Sequence, residues 1–286
     1  MNIKAYAKIN LGLDVIKRRE DGYHEVRMIM QSIDLSDELI VEEKDSPGIA
    51  ISTNNGELPV NEDNLIYKAA KLLSDEFGIN KGVDIKLTKN IPIAAGLAGG
   101  STDAAATMIA LNELWDLRLS QKDLMSLSVK IGADVPYCIM GGTVIAEGIG
   151  EKLTPINNCP DCFLLIAKPP VGVSTKYVYQ NLKIEGNSHP DIDAIISAID
   201  ASDIKSVANN LGNILESVTI PLHPVIDTIK NMMVEDGALG SLMSGSGPTI
   251  FGIFDDEELA LKSKNRIEEA NIAKDIVLTS LHHPRM

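Results

Sequence analysis

The segment Pro92-Ile-Ala-Ala-Gly-Leu-Ala-Gly-Gly-Ser-Thr-Asp103 leads into an alanine-rich helix, which the sequence predicts over residues 102–114. Its glycines allow positive φ angles and let a bulky anion approach backbone N–H groups closely. The helix adds its unsatisfied N–H groups and the positive end of its dipole at the same place. The segment therefore predicts a phosphate-binding loop, although a glycine-rich turn that only starts a packed helix has the same pattern. It is neither a P-loop nor a Rossmann fingerprint.

Every position of this loop is a candidate for contact with phosphate. Ser101 and Thr102 could cap the helix, or they could place a hydroxyl on a phosphate or on Mg²⁺. The alanine run after them favours close packing of the helix on a sheet. The candidate loop residues are Pro92, Ile93, Ala94, Ala95, Gly96, Leu97, Ala98, Gly99, Gly100, Ser101 and Thr102.

A second glycine-rich segment, Ser244-Gly-Ser-Gly-Pro248, joins two predicted strands over residues 239–244 and 249–254. A simple hairpin turn and a ligand-contacting loop both fit this pattern, and the segment taken alone does not separate them. The segment is a second candidate part of the site.

Outward from these loops, the spacing of apolar residues predicts a mixed α and β chain. The other predicted strands cover residues 2–15, 25–35, 38–42, 83–87, 142–147, 163–168 and 275–281. The other predicted helices cover residues 64–77, 120–132, 191–200, 203–215, 223–235 and 256–270.

A polar connector that contains prolines, around residues 155–160, predicts a domain boundary. It gives an N-terminal domain over residues 1–155 and a C-terminal domain over residues 156–286. If the helices between the strands over 163–168 and 239–244 count as one crossover, the second domain has the split βαβ arrangement of ferredoxin-like domains. The predicted fold class is α+β in two domains.

The charge and the cysteine content of the chain argue against several classes of function. The formal net charge of −14 disfavours nucleic acid and anionic membranes as partners, so any phosphate site must be built locally. Three cysteines are too few for a disulfide framework, and Cys159-Pro-Asp-Cys162 is interpreted as connector rather than a redox or zinc motif. The first fifteen residues alternate as a strand does and do not resemble a signal peptide. A soluble cytoplasmic protein is expected.

Three blocks are similar, in order, to the motifs of the galactokinase–homoserine kinase–mevalonate kinase–phosphomevalonate kinase (GHMP) superfamily. These blocks are Lys8-Ile-Asn10, Pro92–Ala106 and Ser244–Pro248. The resemblance implies a ribosomal protein S5 domain 2-like α/β domain followed by a ferredoxin-like domain that completes the substrate site. It also implies ATP as co-substrate, with Mg²⁺, and phosphoryl transfer to an alcohol, with residues 92–102 binding ATP. Where the family often has glycine, this loop has Ala94, Ala95 and Ala98, which leaves the N–H donors intact.

Four further segments narrow the resemblance to one branch of the superfamily: Asp21–Glu25, Asn61–Ile66, Gly132–Pro136 and Ala146–Glu151. The branch implies phosphorylation of the 2-hydroxyl of a cytidine diphosphate–linked methylerythritol, in the non-mevalonate route to isoprenoid precursors. Two alternatives remain: another kinase of the superfamily, acting on homoserine or mevalonate, or a nucleotide-binding relative without catalytic activity. The sequence leaves monomer and homodimer equally open.

The resemblance implies Asp134 as catalytic base, with Lys8 and Asn10 in the active site. The helix predicted over 120–132 places Asp134 just past its end, and Pro136 is expected to hold the next residues extended. An Asx-turn would be the ordinary role of a loop aspartate, and the family pattern selects the catalytic one. A lysine near that carboxylate would keep it ionised and stabilise charge on the transferred group. Only the family pattern separates Lys8 from Lys4 on the same strand face.

The remaining candidates contact the two substrates by the same resemblance. Tyr23 and His24 are expected to stack on cytosine and to bind its hydrogen-bonding edge. Thr175 and Tyr179 are expected to complete the acceptor site, with Tyr177 as an alternative to Tyr179. The adenosine side is expected to involve Asn64, Leu65 and Lys89.

Overall fold

The computed structural model describes residues 1–284, and its backbone divides into two compact units. The first unit comprises Met1–Ala7, Leu35–Ile93 and Ala98–Gly141. The second comprises Lys8–Asp34, Ala94–Leu97 and the chain from Gly142 onward. The glycine-rich segment therefore begins and ends in the first unit, whereas residues 94–97 belong to the second. Within residues 1–284, no helix combines the length and the apolar character that crossing a membrane requires.

The first unit contains four strands in the order β3-β4-β2-β1. They are β1 (Asn2–Arg18), β2 (His24–Lys44), β3 (Ile49–Thr53) and β4 (Gly82–Thr88), and both β1 and β2 continue into the second unit. β4 is antiparallel to β2 and parallel to β3. The prediction of two separate strands over 25–35 and 38–42 is wrong, because β2 runs unbroken through Ser36 and Asp37. Strand β3 has no counterpart among the sequence predictions.

Four helices pack with these strands around one apolar cluster. They are α1 (Leu65–Phe77), α2 (Gly99–Leu114), α3 (Gln121–Ser128) and α4 (Val135–Met140). The predicted α1 is confirmed, with its start capped by Asn64 and its end at left-handed Gly78. Helix α2 starts three residues before the predicted position. It is buried along most of its length, which its run of alanines allows.

The predicted helix over 120–132 is too long. Its start is correct, since Ser120 and Asp123 form a capping box, but α3 ends at Ser128. The prediction that Pro136 holds the chain extended is wrong as well. Val135–Met140 is helical with proline in its first turn, where the missing N–H has no intrahelical acceptor to lose.

As far as residue 284, the second unit holds the later part of β1, the earlier part of β2, and seven more strands. These are β5 (Thr143–Gly148), β6 (Lys152–Pro155), β7 (Phe163–Lys168), β8 (Gly212–Asn213), β9 (Gly240–Met243), β10 (Ile250–Phe254) and β11 (Asp275–Ser280). Its helices are α5 (Thr175–Asn181), α6 (Ile192–Asp200), α7 (Ile204–Asn209), α8 (Glu216–Leu222), α9 (Val225–Glu235) and α10 (Glu257–Ala270). One sheet has the order β6-β5-β2-β1-β8, in which β8 lies parallel to β1.

The other sheet of this unit has the order β11-β7-β10-β9, and all its neighbours are antiparallel. Helices α5–α9 lie between β7 and β9 in the chain, and α10 lies between β10 and β11. This connectivity is the predicted split βαβ of a ferredoxin-like domain. The helix predicted over 203–215 is wrong beyond Asn209, because the following residues pair with β1 as strand β8.

Candidate functional site

A buried charge cluster in the first unit joins the two ends of the glycine-rich segment. The ammonium of Lys89 donates to the carboxylates of Asp37 and, at 2.7 Å, Asp103. The Asp37 carboxylate also accepts the N–H groups of Asn90 and Ile91, at 2.6 and 2.8 Å. The side chains of Lys89, Asp37 and Asp103 are only 4%, 0% and 5% exposed. The cluster therefore fixes residues 89–91, immediately before the segment, to the first turns of α2.

The cluster has one more carboxylate than it has ammonium groups, and this imbalance affects Asp103. Burial raises the pKa of Asp103 to about 8; the Lys89 ammonium opposes the rise and the Asp37 carboxylate adds to it. None of residues 1–284 donates a hydrogen bond to its buried Oδ1. Since the pKa in the folded protein exceeds the ordinary value near 3.8, the contribution of Asp103 to the free energy of unfolding is fully present below that pH. This contribution is lost as the pH rises through about 8.

The start of α2 presents backbone N–H groups rather than side-chain caps. Its N-cap is Ala98, in the left-handed region at φ 58°, and the first intrahelical bond to it comes from Thr102 N–H at 2.9 Å. The N–H groups of residues 99–101 precede that bond and have no intrahelical acceptor. The Thr102 hydroxyl donates to the carbonyl of Tyr6 at 2.7 Å. Ser101 and Thr102 thus lie inside the helix and do not cap it.

Two of the three residues expected on the adenosine side adjoin this helix start. A Cβ added to Gly100 would lie 3.4 Å from Leu65 Cδ1, and one added to Gly99 would lie 2.9 Å from Lys89 Nζ. Both glycines are therefore places where a neighbouring side chain approaches the backbone closely.

The third, Asn64, has a structural role in the first unit. Its Oδ1 accepts the N–H of Ile66 at 2.9 Å and its Nδ2 donates to the carbonyl of Pro59 at 2.7 Å. These bonds cap α1 and hold the preceding loop. Any contact of Asn64 with adenosine remains a prediction.

Asp134, the candidate base, lies at the N-cap position of α4. Its backbone is helical, at φ −83° and ψ −13°, and within residues 1–284 its side chain makes no capping hydrogen bond to that helix. The residue is half-buried. The carboxylate is therefore not consumed by the Asx-turn or cap that a loop aspartate usually makes.

In the second unit, the side chain of Lys8 is buried. Its side chain reaches Asn10 Oδ1 at 2.8 Å and the carbonyl of Gly96 at 3.0 Å, and the residue is only 5% exposed. Asn10 is buried beside it and donates to Met28 Sδ at 3.4 Å. Lys4, by contrast, is exposed. Because a buried lysine is costly without polar partners, burial separates Lys8 from Lys4 on physical grounds.

The turn after β9 holds the apex of the glycine-rich segment. The Ser244 hydroxyl donates to the Gly96 carbonyl at 3.0 Å, so this oxygen accepts from both Lys8 and Ser244. Asn213, a residue that no sequence pattern marks, donates from Nδ2 to the carbonyls of Met243 and Gly245 at 2.8 and 2.7 Å. The turn is a hairpin between β9 and β10 that also contacts the first loop. Any contact of this turn with a ligand remains a prediction.

Gly96 is irreplaceable on steric grounds, and we expect Gly96→Ala to unfold the protein more easily. The residue has φ +73°, and an added Cβ would lie 2.3 Å from the Ser244 carbonyl oxygen. We expect the free energy of unfolding in urea to fall by more than about 2 kcal/mol. Gly56→Ala is the matched control, since no atom of the described residues lies within 4 Å of a Cβ built there. Equal changes in the two variants would contradict the steric argument.

Among the acceptor candidates, the structure brings two rings together. The His24 and Tyr179 ring centroids are 5.2 Å apart and tilted by 43°. Tyr23 is 62% exposed and Tyr177 is 48% exposed, so neither ring is enclosed. This arrangement favours Tyr179 over Tyr177 as the aromatic partner of the Tyr23–His24 turn.

Two details add to this acceptor set. The Thr175 hydroxyl lies 2.8 Å from that of Ser246, which links α5 to the Ser244–Pro248 turn and adds Ser246 to the candidates. Partial burial, with Arg18 nearby, lowers the pKa of His24, so its imidazole is neutral at pH 7. Neutral imidazole offers one donor and one acceptor.

The cysteine pair has the features of structural residues. Both Cys159 and Cys162 are buried, and the pKa of each is raised chiefly by burial, to about 12 for Cys159. A buried thiol with a raised pKa is a poor nucleophile and a poor metal ligand. The geometry thus supports the interpretation of this segment as connector.

Comparison with known proteins identifies the family. The family model described as "GHMP kinases N terminal domain" matches residues 64–142, and "GHMP kinases C terminal" matches residues 195–273. A 4-diphosphocytidyl-2-C-methyl-D-erythritol kinase of Lachnospira eligens is 52% identical over 285 residues, which is 99% of each chain. The chain belongs to the GHMP kinase family. A similarly described kinase of Caldicellulosiruptor bescii is 48% identical over 98% of both chains.

Two solved kinase structures share the fold of this chain. A crystal structure of a 4-(cytidine 5'-diphospho)-2C-methyl-D-erythritol kinase superposes with a TM-score of 0.85 at 33% identity, over 99% of this chain and 100% of the other. The homoserine kinase of Cytophaga hutchinsonii superposes with a TM-score of 0.78 at 23% identity, over 98% and 95%. The second likeness shows a shared GHMP kinase fold only. The family and α+β fold expected from the sequence are confirmed.

Proposed function

We propose that this protein transfers the γ-phosphoryl group of ATP to the 2-hydroxyl of 4-diphosphocytidyl-2-C-methyl-D-erythritol, giving the 2-phosphate and ADP. The observation that carries the proposal is the 52% identity, over 99% of both chains, with a kinase of that description. The reaction would belong to the non-mevalonate route to isoprenoid precursors. We further infer that the chain is divided near residue 155 into an ATP-binding domain and a C-terminal domain.

Phosphoryl transfer requires binding of the triphosphate, stabilisation of its charge, and an acceptor for the proton of the alcohol. The N–H groups at the start of α2 suit the first task, since residues 99–101 precede the first intrahelical bond of the helix. We assign the proton to Asp134, whose carboxylate makes no cap bond to α4 within residues 1–284. We assign charge stabilisation to Lys8, which Asn10 and the Gly96 carbonyl hold in place.

Magnesium fits this chemistry as an ion carried by the nucleotide. Within residues 1–284, no group of three or more His, Cys, Asp or Glu side chains converges as a metal-binding cluster. Mg²⁺ usually retains water and is held through substrate phosphates together with one or two protein oxygens. The Ser101 hydroxyl, in the first turn of α2, is our candidate for a protein oxygen. When bound, the ion offsets charge on the phosphates.

The acceptor's cytosine would bind at the Tyr23–His24 turn together with Tyr179. A neutral His24 supplies both a donor and an acceptor to the edge of the base. The 5.2 Å separation of the His24 and Tyr179 rings supports a shared aromatic surface. Thr175, paired with Ser246, would contact the acceptor through its hydroxyl.

The proposal is tested by coupled ADP release with three acceptors: the cytidine-linked methylerythritol, homoserine and mevalonate. Turnover with the first alone is expected. Activity with homoserine or mevalonate alone would assign the protein to another branch of the family. ATP binding without turnover on any acceptor would mark a non-catalytic relative.

We expect Tyr179→Ala to raise the KM for the cytidine-linked acceptor about 10-fold, because stacking on one base contributes about 1–3 kcal/mol. The KM for ATP should not change. Tyr177→Ala is the matched comparison, since this tyrosine lies two residues away on the same helix and is largely exposed. Steady-state kinetics with each substrate varied in turn would measure both. A larger acceptor KM in Tyr177→Ala than in Tyr179→Ala would reverse the assignment.

A further inference from the structure

The resemblance to GHMP kinases assigns Lys89 to the adenosine side, yet its ammonium is already occupied. Both Asp37 and Asp103 accept hydrogen bonds from it, and the side chain is 4% exposed. With two of its three N–H donors already used and its side chain buried, this ammonium has little capacity left for an anionic ligand. Its two partners instead connect it to the N–H groups of residues 90 and 91, through Asp37, and to helix α2, through Asp103.

The three charged groups lie at the two ends of one segment. Asp37 holds residues 90 and 91 through their N–H groups, and Asp103 belongs to the second turn of α2. Lys89 Nζ lies so close to Gly99 that an added Cβ would be 2.9 Å from it. The ammonium thus sets the distance between the start of the segment and the helix whose first N–H groups lack intrahelical acceptors.

We propose that Lys89 is a positioning residue, which bridges Asp37 and Asp103 and so holds the N–H groups of residues 99–101 in the arrangement that binds the nucleotide's phosphates. The inference rests on the proposed function only in taking ATP as the nucleotide. Under this proposal, Asp37 and Asp103 support phosphate binding indirectly, through Lys89, and do not contact the phosphates themselves. It also explains why glycine stands at position 99, where a larger residue would displace the ammonium.

The test is a double-mutant cycle on ATP affinity, measured by titration calorimetry without acceptor. We expect Lys89→Met and Asp103→Ala each to raise the Kd for ATP about 10-fold, and the double variant to bind no more weakly than Lys89→Met. Asp103→Asn, which keeps an acceptor oxygen for Lys89, should recover most of the affinity lost in Asp103→Ala. In kinetics, the KM for ATP should rise while the KM for the acceptor does not. Lys86→Met, an exposed lysine on β4, is the control.

Two results would overturn the proposal. Weak ATP binding in Lys89→Met, with normal binding in Asp103→Ala, would mean that Lys89 contacts the nucleotide itself. Normal binding in both variants would leave the cluster a purely structural role. If Lys89→Met does not fold, the comparison of Asp103→Ala with Asp103→Asn decides, since both keep the bond between Lys89 and Asp37.

A second readout separates this proposal from the proposed function. We expect the amides of residues 99–103 to exchange with deuterium at least several-fold faster in Asp103→Ala than in the unaltered protein, with no nucleotide present. Unchanged exchange would contradict the positioning role whatever the protein phosphorylates. Conversely, an unaltered protein that used homoserine or mevalonate would refute the acceptor assignment and leave the ATP series valid.

Discussion

Replacing Asp134 by asparagine is expected to lower kcat about 10³-fold while ATP still binds normally. General-base catalysis by a positioned carboxylate contributes about 10²–10⁴-fold to the rate, and asparagine cannot accept the proton. The substitution preserves size and shape. Because Asp134 makes no capping bond to α4 within residues 1–284, the substitution removes no hydrogen bond from the start of that helix. Single-turnover kinetics and calorimetric ATP titration would measure the two effects.

The control for this variant is Asp45→Asn, which makes the same chemical change at an exposed position. Its kcat should match that of the unaltered protein. If Asp134→Asn retained more than about a tenth of the normal kcat, general-base catalysis at this position would be excluded. A loss of ATP affinity of the same size as the loss of kcat would instead indicate a binding role.

The elements predicted well from sequence are those with local signals. Asn64 and Gly78 mark the ends of α1 through a cap and a left-handed residue, and Phe163–Lys168 is a short apolar strand with the predicted bounds. The errors occur where distant contacts decide. Asp37 lies inside a strand and its carboxylate accepts the N–H groups of residues 90 and 91, and the chain after Asn209 leaves the helix to pair with β1. Such long-range partners leave no periodic trace in a sequence.

The candidate site shows the same division. The loop over residues 92–102 becomes a candidate phosphate site from its glycines and the helix after them, because anion binding at a helix start depends on local structure. The residues that hold the loop in place cannot be predicted in this way. Asn213 and Asp37 look like ordinary polar residues, and only the fold brings them to the backbone of the two glycine-rich segments.

The two alanines of the loop illustrate a further limit. Ala94 and Ala98 have φ angles of 51° and 58°, in the left-handed region that disfavours a Cβ by about 1–2 kcal/mol. From the sequence alone, alanine at these positions is expected only to leave the N–H donors intact. Backbone strain of this kind becomes visible once the dihedral angles are known. Because both strained alanines lie two residues from Gly96, the hydrogen bonds from Lys8 and Ser244 to the Gly96 carbonyl must also offset this strain.

Lys8→Met is expected to lower kcat about 10²–10³-fold, the usual loss when one group that stabilises transition-state charge is removed. Methionine keeps most of the side-chain volume of a residue that is only 5% exposed, so packing should be largely retained. The Gly96 carbonyl keeps one donor, the Ser244 hydroxyl, whereas Asn10 Oδ1 loses the bond from Lys8. We therefore expect the free energy of unfolding to fall by only about 1–3 kcal/mol.

Lys4→Met, on the same face of β1, is the matched control, because Lys4 is exposed and a surface charge has little effect on either quantity. The decisive quantity is the ratio of kcat loss to stability loss in the two variants. A purely structural Lys8 would lose stability and keep the kcat of the folded fraction, since folded molecules would retain every group that acts on phosphate. A catalytic Lys8 loses kcat in molecules that are fully folded and that bind ATP normally. The buried ammonium on β1 would then be retained for its charge, despite the desolvation that burial costs it.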